Sequence, residues 1–269
     1  GTLFASSRFL GKDKVLVGDA ASHSVYSGNI NNVSFAGSKG APALFPLNPD
    51  MLQPNDFALD STFTHMYLSG MNYQNPSTAG LDGELWYFNL ITNELRQVPP
   101  DELAAANIHR TNGIELSPDG ATLYVTNAIN NSTDVSEAYI YKFDIDIVSG
   151  MPTKPVMLVD LYAELIDLGI NPSGMDPDGM KCDMNGVIHV TLNGGQRVFR
   201  YNPATKASQI IFLPNVASPS NLQFGGKDGK RLVIIGHGCG GVFDNSCADF
   251  IDLDSPGRDF IALLNSGKC

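Results

Sequence analysis

Short apolar runs recur along the chain, bounded by Gly, Pro, Asn or Asp and alternating with polar residues, which is the pattern of β-strands rather than helices. One unit returns several times: a polar pair, an apolar strand, a turn, and a second strand ending in small or polar residues. It reads "PNDFALDSTFTHMYLSGMN" from Pro54, "TNGIELSPDGATLYVTNA" from Thr111, "PDGMKCDMNGVIHVTLNGG" from Pro177 and "SNLQFGGKDGKRLVIIGHG" from Ser220. A fainter copy, "SSRFLGKDKVLVGDAASH", starts at Ser6. Aligned on their first polar positions (Ser7, Asn55, Asn112, Asp178 and Asn221), the units step by 48, 57, 66 and 43 residues. Further strand-like pairs follow, such as "GELWYFN" with "ELRQVP", making four short strands per unit. Helix is confined to "DELAAANIHR" and "VDLYAELIDLG", which fall in connections. Such units at this period predict an all-β fold: a β-propeller in one domain, 1–269, with five blades legible. Two stacked β-sandwiches would give similar strands but no fixed motif at each unit start.

In a propeller blade the first strand runs away from one face along the central channel and the second returns to that face. Residues just before the first strand and just after the second therefore share the channel mouth. Asn55, Asn112, Asp178 and Asn221 form the first group; Asn72, Asn127, Asn193 and His237 form the second. A ring of amide and carboxylate oxygens suits a hard cation, since calcium takes about six to eight oxygen ligands. Any one Asn or Asp before a strand is also an ordinary turn residue, so the weight rests on the ordered set.

At 269 residues and 43% hydrophobic, with no apolar run near the ~18 residues of a membrane span, the chain is expected to be a soluble protein without a membrane partner. A net charge of -11 with no basic cluster argues against nucleic acid. Cys239 and Cys247 bracket "CGGVFDNSC", a loop that a disulfide would close in an oxidising compartment, while Cys182 and Cys269 show no metal-type spacing. Glycosylation sequons at Asn32, Asn130 and Asn131 point the same way, to a secreted glycoprotein whose leader would already have been removed, and a monomer is expected. The Gly-rich "FGGKDGK" lacks a following helix and P-loop spacing, and reads as a tight strand connection. Trp86 is expected between blades.

Three segments, "NGIELSPDGATLYVTNA", "PDGMKCDMNGVIHVT" and "SNLQFGG", resemble the hallmark segments of the gluconolactonase, regucalcin and luciferin-regenerating-enzyme family, over about Asn55 to Gly236. The resemblance implies a six-bladed propeller that holds a divalent cation, usually calcium, in its channel and hydrolyses lactones. It implies metal ligation by Asn55 in "QPNDF", Asn112 in "TNGI" and Asp178 in "DPDGM". The family's fourth ligand, a glutamate, has no counterpart in the legible repeats; its spacing would put it about one blade before the Ser7 unit. Two explanations stay open: a first blade lacking from the sequence, or a five-bladed variant in which Ser6, Ser7 or Asn221 stands in.

A bound cation would polarise a carbonyl and orient a water. Calcium acidifies water weakly, so a general base is useful. Asp178 is the first candidate, with His237 and then His109 as alternatives if its charge is committed to the metal. His65 and His189 lie within strands and read as packing residues, and His23 as a turn residue. Asn221, Asn127 and Asn193 are candidate substrate contacts. The expected partner is a small lactone or ester. A ligand-binding propeller without hydrolysis, and an esterase or phosphotriesterase on the same cation, are the competing expectations.

Overall fold

The computed structural model describes residues 7–11, 14–19, 24–29, 48, 50–51, 53–71, 83–131 and 134–266, the first three stretches and Asn131 by their backbone alone. Ser6, His23, Asn32, Asn72 and Cys269 lie outside the described residues. The described strands form antiparallel sheets in which each strand pairs with its successor. The first holds β1 (Ser7–Gly11), β2 (Lys14–Asp19) and β3 (Ser24–Asn29). The second holds β4 (Gln53–Leu59), β5 (His65–Met71), β6 (Gly83–Asn89) and β7 (Glu94–Gln97). The third holds β8 (Arg110–Leu116), β9 (Thr122–Asn131), β10 (Asp134–Ile145) and β11 (Pro152–Asp160). The fourth holds β12 (Asp176–Cys182), β13 (Ile188–Asn193), β14 (Arg197–Asn202) and β15 (Ala207–Phe212). The fifth holds β16 (Ser218–Gly225), β17 (Arg231–His237) and β18 (Ser246–Asp252). This is a β-propeller arrangement. Among the described residues there are five sheets, three of them with the expected four strands and two with three, so six blades are not seen.

The first strands β4, β8, β12 and β16 lie side by side in that order, and the cores lie between successive sheets. Tyr67, Leu85 and Tyr87 of the second sheet pack on Ile114, Leu123 and Val125 of the third. Tyr124, Ala138 and Ile140, on the third sheet's other face, pack on Met180, Val190 and Phe199 of the fourth. Val198 in turn meets Leu222, Leu232 and Ile234 of the fifth. Central strands are thus covered on both faces, and each large side chain contributes about 1.5–3 kcal/mol by burial. Trp86 is buried with Phe57, Leu68 and Phe88, all on the second sheet.

Helices α1 (Pro100–Ala105) and α2 (Leu161–Asp167) occupy the two stretches that the sequence marks out. A third, α3 (Arg258–Asn265), is a correction to the reading of only two. It starts at Gly257 without a side-chain cap, so the usual Ser/Asp start signal is missing.

Cys239 and Cys247 are disulfide-bonded across the β17–β18 connection, and Cys182 is a buried free thiol. Iodoacetamide should leave native Cys239 and Cys247 unlabelled until a reductant is added. Reduction should cost about 2–3 kcal/mol of stability, the loop entropy of so short a ring. Labelling of both thiols without reductant would contradict the bond.

Candidate active site

All four of these first strands carry an irregularity at the same place, between Pro54 and Phe57, Thr111 and Ile114, Pro177 and Met180, and Pro219 and Asn221. In each, two residues face one on the second strand: Asn55–Asp56 against Ser69, Asn112–Gly113 against Thr126, Asp178–Gly179 against Thr191, and Ser220–Asn221 against Ile235. The polar pair that opens each unit is therefore a β-bulge, which bends the strand and re-aims a side chain. This register corrects the sequence alignment by one residue in the last unit. Ser220, not Asn221, is equivalent to Asn55, Asn112 and Asp178. Asn221 is level with Gly179, and its Oδ1 accepts from the Leu222 amide at 2.8 Å. The residue before the pair, Pro54, Thr111, Pro177 or Pro219, is the signal that would have given the right alignment.

Glycine follows Asn112 and Asp178 for a steric reason. A Cβ at Gly113 would lie 2.2 Å from the Asp178 carbonyl oxygen, and one at Gly179 would lie 2.5 Å from Asn221 Oδ1. Both would collide with the next first strand, so the bulges can nest only where the side chain is missing. Gly113→Ala should destabilise the fold by at least about 1–3 kcal/mol and weaken any cation binding at Asn112 and Asp178. Thermal melting and calcium titration of the variant check this.

Hydroxyls opposite the bulges tie the strands together. Ser69 Oγ donates to the Asn112 carbonyl of the next sheet, Thr126 Oγ1 to that of Pro177 at 3.5 Å, and Thr191 Oγ1 to that of Gly179 in its own sheet at 3.3 Å. Thr111 Oγ1 donates toward the Gly70 and Glu84 carbonyls, at 2.7 and 2.6 Å. These hydroxyls were not singled out from the sequence, where a small polar residue ending a strand has no distinctive signature.

Asn112 and Asp178 face each other across the seam between the third and fourth sheets, near enough for the Asn112 amide to hold the Asp178 pKa down. Asn193 Nδ2 donates to Asp178 Oδ2 at 3.0 Å, which brings one candidate substrate contact directly onto the carboxylate. Asn112 is 7% exposed, and its buried Oδ1 has no hydrogen-bond partner among the described residues. The Asp178 pKa is pushed up to about 7, first by loss of water around the carboxylate; the Asn193 hydrogen bond and the Asn112 amide oppose this, while the charges of Asp176 and Asp56 add to it. A half-buried carboxylate short of positive charge and an orphaned amide oxygen beside it form an oxygen-only donor set, fitted to a hard cation. Asn55 holds the equivalent position on β4 and is half-buried. Among the described residues no group of three or more His, Cys, Asp or Glu side chains could hold a metal ion, so a site here depends on amide oxygens.

Other predicted residues are engaged with different partners. Asn127 is buried, its Oδ1 accepting from the His109 and Arg110 amides at 2.7 and 3.0 Å and its Nδ2 donating to the Asn107 carbonyl. It holds the entry to β8. The His109 ring bonds Asn107 Oδ1 at 2.8 Å, and the His237 ring meets Phe243 edge-on at 4.4 Å. The contacts seen for these two rings do not include Asp178. His189 is fully buried, 3.4 Å from Asp183, as a packing residue should be.

Further along the same strands lies a buried charge cluster that the sequence reading missed. Lys181 Nζ stands 3.8 Å from Asp56 and 3.9 Å from Glu115. Arg258, from the start of α3, bonds Glu115 Oε1 through Nη2 at 2.8 Å and through Nε at 3.2 Å, and the Leu59 carbonyl at 2.7 Å. Arg258 also pairs with Asp259, so the cluster's cations are engaged by Asp56, Glu115 and Asp259, and no ion pair among the described residues reaches Asp178, whose pKa is raised.

The fold defines a class, the β-propellers, and comparison with known proteins gives the family. The chain belongs to the SMP-30/gluconolactonase/LRE-like family, whose model matches residues 9–237. It is 33% identical over 146 residues to a gluconolactonase of Zymomonas mobilis subsp. mobilis, covering 53% of this chain and 37% of that one. The curated relatives are matched over only 36–38% of their own length. A luciferin-regenerating enzyme has a similar fold, with TM-score 0.70 and 15% identity over 94% of this chain and 79% of that one. A regucalcin from Agrobacterium tumefaciens, described as a calcium-binding protein, gives TM-score 0.62 and 19% identity over 86% and 67%.

Proposed function

We propose that the chain is a divalent-cation-dependent hydrolase of lactones, with Asn55, Asn112 and Asp178 holding the cation and calcium the first choice. The observation that carries this is the Asn112–Asp178 pair, a desolvated carboxylate beside an orphaned amide oxygen. Family membership and the gluconolactonase relative support the substrate class, and the regucalcin likeness supports the choice of calcium. A cation bound there supplies Lewis-acid polarisation of the lactone carbonyl. Asn193 fixes the Asp178 carboxylate by holding Oδ2, and the carboxylate is the group that takes the proton of an attacking water. His109 and His237 are second choices as proton acceptors, because their rings are engaged with Asn107 and Phe243. The Cys239–Cys247 bond supports an oxidising, extracytoplasmic setting.

The test is acid release from D-glucono-δ-lactone above the spontaneous rate, measured before chelation, after it, and after calcium is restored. Loss and recovery with calcium support the reading. Cation-independent turnover would remove the mechanism, and cation binding without turnover would leave a binding propeller.

A further inference from the structure

We infer that the Arg110–Asp176 ion pair at the channel mouth determines specificity, binding the ring hydroxyls of a polyhydroxylated lactone whose carbonyl lies at the Asn112–Asp178 pair. The inference rests on the hydrolase reading and adds residues that neither the mechanism nor the sequence motifs use.

Arg110 and Asp176 begin β8 and β12, two positions before Asn112 and Asp178. Arg110 Nη2 bonds Asp176 Oδ2 at 3.0 Å, across the seam where Asn112 faces Asp178. Two parallel rungs therefore cross the same seam, the outer one roughly 6–7 Å further along the strands at about 3.3 Å per residue. That separation matches the reach from the carbonyl to the far hydroxyls of a six-membered lactone.

The outer rung is held rigidly. Asn127 Oδ1 accepts from the Arg110 backbone amide, and Asn130 Oδ1 accepts from Arg110 Nη1. The pair is accessible all the same, with the Arg110 and Asp176 side chains 12% and 30% exposed. Each also keeps a buried polar atom without a partner among the described residues, the donor Arg110 Nε and the acceptor Asp176 Oδ1. An anionic ligand would meet the carboxylate and a cationic one the guanidinium. A hydroxyl both donates and accepts, so neutral vicinal hydroxyls are the chemistry that a charge-balanced donor–acceptor pair selects.

The experiment compares D-glucono-δ-lactone with unsubstituted δ-valerolactone, with calcium, in the wild type, Arg110→Met and Arg110→Lys. The lysine keeps a cation beside Asp176 but lacks the Nε–H, so it serves if the methionine variant fails to fold. The ratio of kcat/KM for the hydroxylated over the bare lactone should fall about 10- to 100-fold in both variants, mainly through KM, as expected for lost hydrogen bonds to charged groups. An equal loss on both lactones, which a merely structural ion pair would give, overturns the inference. If the wild type hydrolyses neither lactone, the hydrolase reading fails. The rung is then read by calorimetric binding of D-gluconolactam, the non-hydrolysable analogue, where the same weakening in Arg110→Lys supports it and equal or absent binding overturns it.

Discussion

Asp178→Asn should abolish cation-dependent lactone hydrolysis and at the same time stabilise the cation-free protein at pH 8 by up to about 4 kcal/mol. The two effects have one cause. In the fold the carboxyl's pKa is raised from 3.8 to about 7, chiefly by burial, so the proton is held more tightly in the native state than in the unfolded chain. A group raised in this way contributes stability that is fully present below the unfolded pKa and is lost as pH rises through the folded one. The chelated wild type should therefore weaken between about pH 4 and pH 7, and the neutral amide of the variant should remove that decline. Calcium should restore the wild type at pH 8 and leave Asp178→Asn unchanged. Denaturant melts at pH 5 and pH 8, with chelator and with calcium, measure all four cases. A wild type whose chelated stability is flat across that range would show that Asp178 is not desolvated as described.

Arg258→Met should cost about 3–5 kcal/mol, because it takes from the buried Glu115 carboxylate its nearest cation, Lys181 standing further off at 3.9 Å. Arg258 is 3% exposed and also bonds the Leu59 carbonyl, so the loss includes an unpaired backbone acceptor. In a chain of this size the change lowers the melting temperature by roughly 10 °C. Adding Glu115→Leu should recover much of it, since replacing both partners of a buried pair by apolar groups is often neutral. A double-mutant cycle on melting temperature and denaturant midpoint gives the coupling. Additive losses would mean that the two residues do not act as a pair.

Strand content was legible because the central strands are covered on both faces, so that runs such as "LYVTNA" and "IHVTL" are continuously buried. The channel-mouth residues were legible for a related reason. A bulge places a polar residue where strand periodicity expects an apolar one, and Asn112 and Asp178 stand out against their strands. The last unit was misaligned because Ser220 there takes the place held elsewhere by Asn or Asp, while the neighbouring Asn221 looks like the ligand. The charge cluster was hidden because Arg258 reaches Glu115 from 143 residues away, and local pattern carries no trace of such a contact. Arg110 was passed over on similar grounds, its partner Asp176 being 66 residues distant. Helix α3 was missed for want of a capping residue.

Calorimetric titration with calcium at pH 6 and pH 9, in buffers of different ionisation enthalpy, tests the central claim most directly because it counts ions and protons together. With the Asp178 pKa at about 7, the account predicts a calcium site that releases about one proton at pH 6 and almost none at pH 9, and that is lost in Asp178→Asn. No calcium binding at pH 9, or binding that releases no proton at pH 6 and survives Asp178→Asn, would contradict it.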